Sequence, residues 1–125
     1  MTSTPALDPA DFAADWLGQR VVFADGALSR LPEEVSRLDA GRVLLIAGRH
    51  GGLGDRAAAL LSGRVAARIA DLRQHVPGEL ADAAVAQARQ TGAAAIVSVG
   101  GGSATGLAKI CALETGLPVL AVPTT

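Results

Sequence analysis

From about residue 20 onward the chain alternates short apolar runs with amphipathic stretches. Arg20-Val21-Val22-Phe23-Ala24 is β-branched and aromatic and reads as a strand, which Asp25-Gly26 stops. Pro32 near a helix start, with Glu33 and Glu34 in the first turn where acids complement the dipole, opens a short helix. Leu31, Val35 and Leu38 supply its apolar stripe at i, i+4 and i+7, and Ala40-Gly41 ends it. Val43 to Ala47 is apolar at every position, the pattern of a strand covered on both faces. The glycine-rich stretch Gly48 to Gly54 follows, and Asp55 is expected to cap a helix through Leu60 and Leu61. Val65 to Ile69, interrupted by Ala and Arg, reads as a third strand. Pro77 opens a helix from Glu79 to Gln90, with Gly92 just past its end. Ala95 to Val99 is a fourth strand, and it runs into Gly100-Gly101-Gly102-Ser103. A helix from Ala104 to Thr115, closed by Gly116, and a fifth strand at Val119 to Val122 complete the pattern.

Strands that alternate with helices, two of them continuously apolar, predict an α/β fold with an open, mainly parallel sheet and helices on both faces. Residues 1–12 are polar and contain proline, and they read as a flexible tail before one domain at residues 13–125. A core strand that reaches Pro123-Thr124-Thr125 and stops is what a domain cut from a longer chain would show.

Composition narrows the classes. With 125 residues, 50% hydrophobic, and a net charge of −1, the chain has the material for a core and no reason to remain unfolded. The near-neutral balance and 2% aromatic content argue against nucleic acid as a partner, which needs basic patches or stacking platforms. No run approaches the roughly 18 apolar residues of a membrane span, and the amino terminus lacks the basic-then-apolar order of a signal peptide. Cys111 is the single cysteine and cannot form an internal disulfide, in keeping with a reducing, cytoplasmic compartment.

Gly100-Gly101-Gly102-Ser103 is the sharpest chemical feature. In an open parallel sheet, ligands bind beyond the carboxyl ends of the strands, and this loop stands at such an end. Glycines let main-chain N–H groups approach an anion without Cβ interference, and a helix start adds unpaired donors. Ser103 either caps that helix or offers its hydroxyl to a phosphate. The run is not a Walker loop, because no lysine precedes Ser103, and the G-x-G-x-x-G fingerprint is absent. Lys109, the one lysine against ten arginines, follows Ser103 by six residues, either reaching back to the pocket mouth or lying solvated. Arg49 stands near the end of the second strand, where an acid would read a ribose 2′-hydroxyl and an arginine tolerates a 2′-phosphate. A solvated loop is the alternative there. His50 and His75 lie on different loops without acidic partners, so no metal site is read from them, and Cys111 reads as a buried small hydrophobe.

Val97-Ser98-Val99-Gly100-Gly101-Gly102-Ser103-Ala104-Thr105-Gly106-Leu107-Ala108-Lys109 resembles the signature of the iron-containing alcohol dehydrogenase superfamily, and Pro118 to Thr125 is similar to its next strand, ending in P-T-T. The closest likeness is to the maleylacetate reductase branch. Gly106 stands where the alcohol dehydrogenases usually carry aspartate, and His75-Val76-Pro77 and Ala112-Leu113-Glu114-Thr115-Gly116-Leu117-Pro118 look like that branch's runs. The likeness spans nearly all of residues 20–125, with Ala24 and Gly48-Arg49 as departures.

The resemblance implies a Rossmann-like amino-terminal domain that binds a nicotinamide dinucleotide, NADH or NADPH. It implies that Gly100, Gly101, Gly102 and Ser103 cradle the pyrophosphate, that Lys109 approaches the nicotinamide ribose, and that Thr124 and Thr125 line the site. The implied reaction of the complete enzyme is reduction of maleylacetate to 3-oxoadipate in the breakdown of aromatic compounds. A homodimer joined through amino-terminal strands is implied as well, with any metal ion belonging to a helical domain outside these residues. Two other readings stay open: a stand-alone nucleotide-binding or interaction module, and the cofactor domain of an alcohol or glycerol dehydrogenase.

Overall fold

The structure is a computed structural model and describes residues 12–16, 18–49, 51–72 and 78–124. Its centre is a four-stranded, wholly parallel sheet. The strands are β3 (Val43–Ala47), β4 (Val65–Ile69), β5 (Ala95–Gly100) and β6 (Val119–Pro123), in the order β4-β3-β5-β6. β3 is buried at all five positions and Ala95 to Val99 of β5 likewise, as expected of strands with helices above and below.

The alternation of side chains sorts those strands into two cores. Val43, Leu45, Ala47, Ala95, Val97 and Val99 face α1 (Leu31–Arg37) and α2 (Leu53–Leu60), meeting Leu31, Val35, Ala57 and Leu61. Leu44, Ile46 and Ile96 face α3 (Gly78–Thr91) and α4 (Gly102–Thr115), meeting Ala84, Ala88, Leu107, Ala108 and Cys111. The helices that meet the sheet through alanine can sit close to it, so the Ala-rich sequence packs tightly instead of thickly.

α2 covers one face while α3 and α4 cover the other, so the sheet is doubly wound. Its order matches the 2-1-3-4 arrangement in which the strand sequence reverses direction between the first and third strands, here β3 and β5. Past that point the loops after β3 and β5 diverge to opposite faces and leave a crevice.

Three expectations change. The first predicted strand is not in the parallel sheet. β2 (Gln19–Phe23) pairs antiparallel with β1 (Phe12–Trp16), from Phe12↔Phe23 to Trp16↔Gln19, as a separate hairpin. Gln19 and Arg20 leave β2 too polar for a doubly covered position, and pairing with the adjacent segment closes only a short loop. Arg20 instead binds Glu34 of α1 at 2.8 Å, which ties the hairpin to the domain. Phe12 thereby belongs to a strand and not to the tail; residues 1–11 lie outside the described residues. Asp55 is not the cap of α2, which starts from Gly52 in a left-handed conformation (φ 74°) that glycine adopts freely. Asp55 sits in the first turn instead.

Candidate functional site

β5 leads straight into α4. Gly101 is the N-cap, and the helix begins at Gly102, two residues before the expected Ala104. The first intrahelical bond is from the Thr105 N–H to the Gly101 carbonyl at 3.1 Å, and the Thr105 hydroxyl donates to the same oxygen. The N–H groups of Gly102, Ser103 and Ala104 therefore have no carbonyl to accept them within the helix. Ser103 does not cap: among the described residues no side chain accepts from the N–H groups of this helix start, and the Ser103 hydroxyl makes no hydrogen bond.

The glycines of this turn are not equivalent. At Gly100 (φ 148°) a Cβ would come within 3.2 Å of the Ala104 Cβ, so the turn itself requires glycine. At Gly102 a Cβ would meet nothing within 4 Å, and Gly102 is exposed at the first helical position. The fold has no need of a glycine there. The bare position leaves the approach to the helix start open.

The Thr124 N–H donates to the Gly100 carbonyl at 3.2 Å, which fastens the end of β6 beside the glycine turn. Thr124, Gly100, Gly48, Gly54 and Leu72 share a small recess of about 160 Å³ across the crevice. Gly48 and Leu72 also border a larger recess of about 600 Å³, which extends past Arg49, Arg68 and Asp71 to Leu80. The two adjoin and form one groove along the carboxyl edge of the sheet, from β6 to β4. The wider volume lies at the β3–β4 end, away from the glycine turn, and is of the size that holds a ligand of several hundred daltons.

Arg68 builds the wall at that end. The sheet pairing of β3 with β4 finishes at Ile46↔Ile69. Beyond it the Arg68 guanidinium donates to the Ala47 carbonyl (Nε, 3.1 Å), the Gly48 carbonyl (Nη2, 2.9 Å) and the Asp55 carboxylate (Nη1, 2.7 Å). Gly54 completes this packing. A Cβ there would stand 2.8 Å from the Ala47 Cβ, 2.8 Å from Arg68 Nη2 and 2.9 Å from the Gly48 carbonyl. Sequence reasoning missed both residues, although an arginine interrupting a half-apolar strand was a visible signal.

Of the expected site residues, the structure brings Gly100, Gly101, Gly102, Ser103 and Thr124 together at one edge. Arg49 is exposed and lines the wider recess. Lys109 is exposed on α4, on the same face as Gly102 because the two are seven residues apart, and about 10 Å farther along the helix axis. Gly106 lies between them on that face. Thr125, His50 and His75 are outside the described residues. Cys111 is fully buried, and burial pushes its thiol up, with the nearby Arg89 a smaller opposing influence. Among the described residues no group of His, Cys, Asp or Glu is arranged to hold a metal ion.

The sequence pattern of the iron-containing alcohol dehydrogenase family matches residues 18–125. The chain belongs to this family. It is 41% identical over 116 residues, 92% of its length, to a maleylacetate reductase of Pseudomonas knackmussii, of which the match covers 33%. The crystal structure of the maleylacetate reductase from Rhizobium sp. strain MTP-10005 superposes with a TM-score of 0.74 at 39% identity, covering 80% of this chain and 29% of that one. A sulfoacetaldehyde reductase from Bifidobacterium kashiwanohense, solved in complex with NAD+, shares the fold at 21% identity (TM-score 0.69, covering 80% and 32%). The family member described here thus spans about a third of the length of the curated relatives it matches, in their amino-terminal part. The parallel pairing of β5 with β6 is what brings the glycine turn and the Pro123–Thr124 strand end, distant in sequence, to one edge of the sheet.

Proposed function

We propose that the groove binds a nicotinamide dinucleotide, NADH or NADPH, and that the chain is the cofactor-binding part of an enzyme that reduces maleylacetate to 3-oxoadipate. Gly102 is the observation that carries this reading. It is an exposed glycine whose backbone is not left-handed and whose Cβ position is empty, set over three unpaired N–H groups. A diphosphate there gains charge-assisted hydrogen bonds from the main chain and the favourable end of the α4 dipole. Ser103 adds a free hydroxyl. Gly106 leaves the path along α4 bare toward Lys109, whose ammonium we assign to the nicotinamide ribose. Thr124 lines the groove on the β6 side, the resemblance assigns Thr125 to the same site, and Arg49 stands at its far end.

The reduced dinucleotide supplies a hydride to the substrate's carbon–carbon double bond. These residues bind and orient the donor. Hydride transfer needs both partners near attack distance, and the site described supplies the donor's side of that encounter. The chain by itself therefore binds dinucleotide without turning over maleylacetate, and any metal ion belongs with a domain outside these residues. Val21 and Phe23, exposed on the hairpin at 42% and 62%, support a homodimer joined there. The test is a titration of the chain with NADH and NADPH, read by nucleotide fluorescence. Saturable binding of either supports the reading, and its absence for both defeats it.

A further inference from the structure

The β3–β4 end of the groove has a charge arrangement that the glycine turn does not determine. The loop after β3 carries an exposed cation, Arg49, and the first turn of α2 that follows carries a carboxylate, Asp55. A carboxylate at this position accepts hydrogen bonds from an unmodified ribose and repels a 2′-phosphate, whereas a free guanidinium attracts one. Asp55 is not free for the first part, because its Oδ1 accepts from Arg68 at 2.7 Å and the guanidinium offsets its charge. Arg68 cannot play the second, because all three of its nitrogens are engaged: by the Ala47 and Gly48 carbonyls and by Asp55. Arg49 makes no hydrogen bond or ion pair among the described residues and lines the wider recess. Asp71, at the opposite side of that recess, has an interaction of its own.

We propose that Arg68 is the positioning residue of this end of the groove, and that by fixing the Gly48 wall and neutralising Asp55 it leaves Arg49 to select the 2′-phosphorylated dinucleotide over the unphosphorylated one. This rests on the dinucleotide reading above and adds the choice between the two cofactors. The Arg68–Asp55 pair acts as a unit: release of the carboxylate changes the sign of the charge offered to the ribose.

The experiment compares dissociation constants of NADPH and NADH for the full chain at low salt, where exposed charges act over the longest range. NADPH is expected to bind tighter by at least about threefold, a ratio that falls toward one as salt is raised. Arg49→Gln, an exposed position with no bond to lose, removes the preference. Arg68→Met frees Asp55 and equalises or inverts the ratio. Arg68→Lys keeps the neutralising charge while losing the fork, so both affinities fall but the ratio survives. A general loss of packing would lower both affinities in Arg68→Met without moving their ratio. Equal binding of the two dinucleotides by the unaltered chain overturns the proposal, as does an unchanged ratio in Arg49→Gln. Binding of neither dinucleotide overturns the dinucleotide reading itself, so the two failures are told apart.

Discussion

Replacing Gly102 with alanine separates what the fold needs from what a ligand needs. The new methyl would meet nothing within 4 Å, and the residue occupies the first position of α4. Relative to glycine, alanine in a helix is favoured by up to about 1 kcal/mol, so stability holds or rises. For a domain of this size that is an increase of at most about 3–6 °C in the unfolding midpoint. Binding moves the other way. The methyl stands over the N–H groups of the first turn and denies a phosphate at least one hydrogen bond to a charged acceptor. That loss is about 1.5–3 kcal/mol, or roughly ten- to 150-fold in affinity. The assay pairs thermal unfolding by circular dichroism with the NADPH titration on the same preparation. Gly100→Ala is the contrasting control. Its methyl would press on Ala104 at 3.2 Å, so it loses stability as well as binding. A Gly102→Ala chain that binds both dinucleotides as tightly as the original would refute the placement of the diphosphate on this turn.

Further outcomes follow from the packing. Gly54→Ala drives a methyl to within 3 Å of the Ala47 Cβ and the Gly48 carbonyl, neither of which is the end of a flexible side chain. Overpacking of about 1–3 kcal/mol exceeds the gain in helix propensity, so the denaturation midpoint falls. Cys111 is fully buried and resists thiol reagents until the chain opens. Because burial raises its thiol, the unfolded chain ionises first as pH increases. Its contribution to stability is complete below the ordinary thiol value and declines as pH climbs toward the raised one. A Cys111→Ala chain followed by urea unfolding against pH lacks that decline. Phe23→Lys places a charge on the exposed face of the hairpin and shifts the chain toward monomer in sedimentation if the homodimer forms there. Leu113, 86% exposed on α4, adds to apolar surface near Ile110, and Leu113→Lys raises the concentration at which the chain stays dispersed.

Periodicity alone determined much of this protein. The unbroken apolar run at 43–47 and the run at 95–99, interrupted only by Ser98, read as strands, and they are the two central strands of the sheet. Local signals marked the ends of α3 and α4 within a residue or two, because capping is local chemistry, whereas Asp55 misplaced the start of α2 by three residues. The glycine turn was legible for the same reason, since a strand end followed by a helix start is written in adjacent residues. What lay beyond the sequence depended on distance. Arg68 is twenty residues from the Gly48 carbonyl that it holds, and only the parallel pairing of β4 with β3 brings it there. The hairpin likewise went unseen, because its first strand is too short and mixed to announce itself without the partner that pairs with it. The difference between Gly100 and Gly102 is identical in the alphabet and opposite in space: one is held by Ala104, the other faces an opening. Local patterns reveal which elements form, while long-range contacts decide which of their atoms are left free to bind.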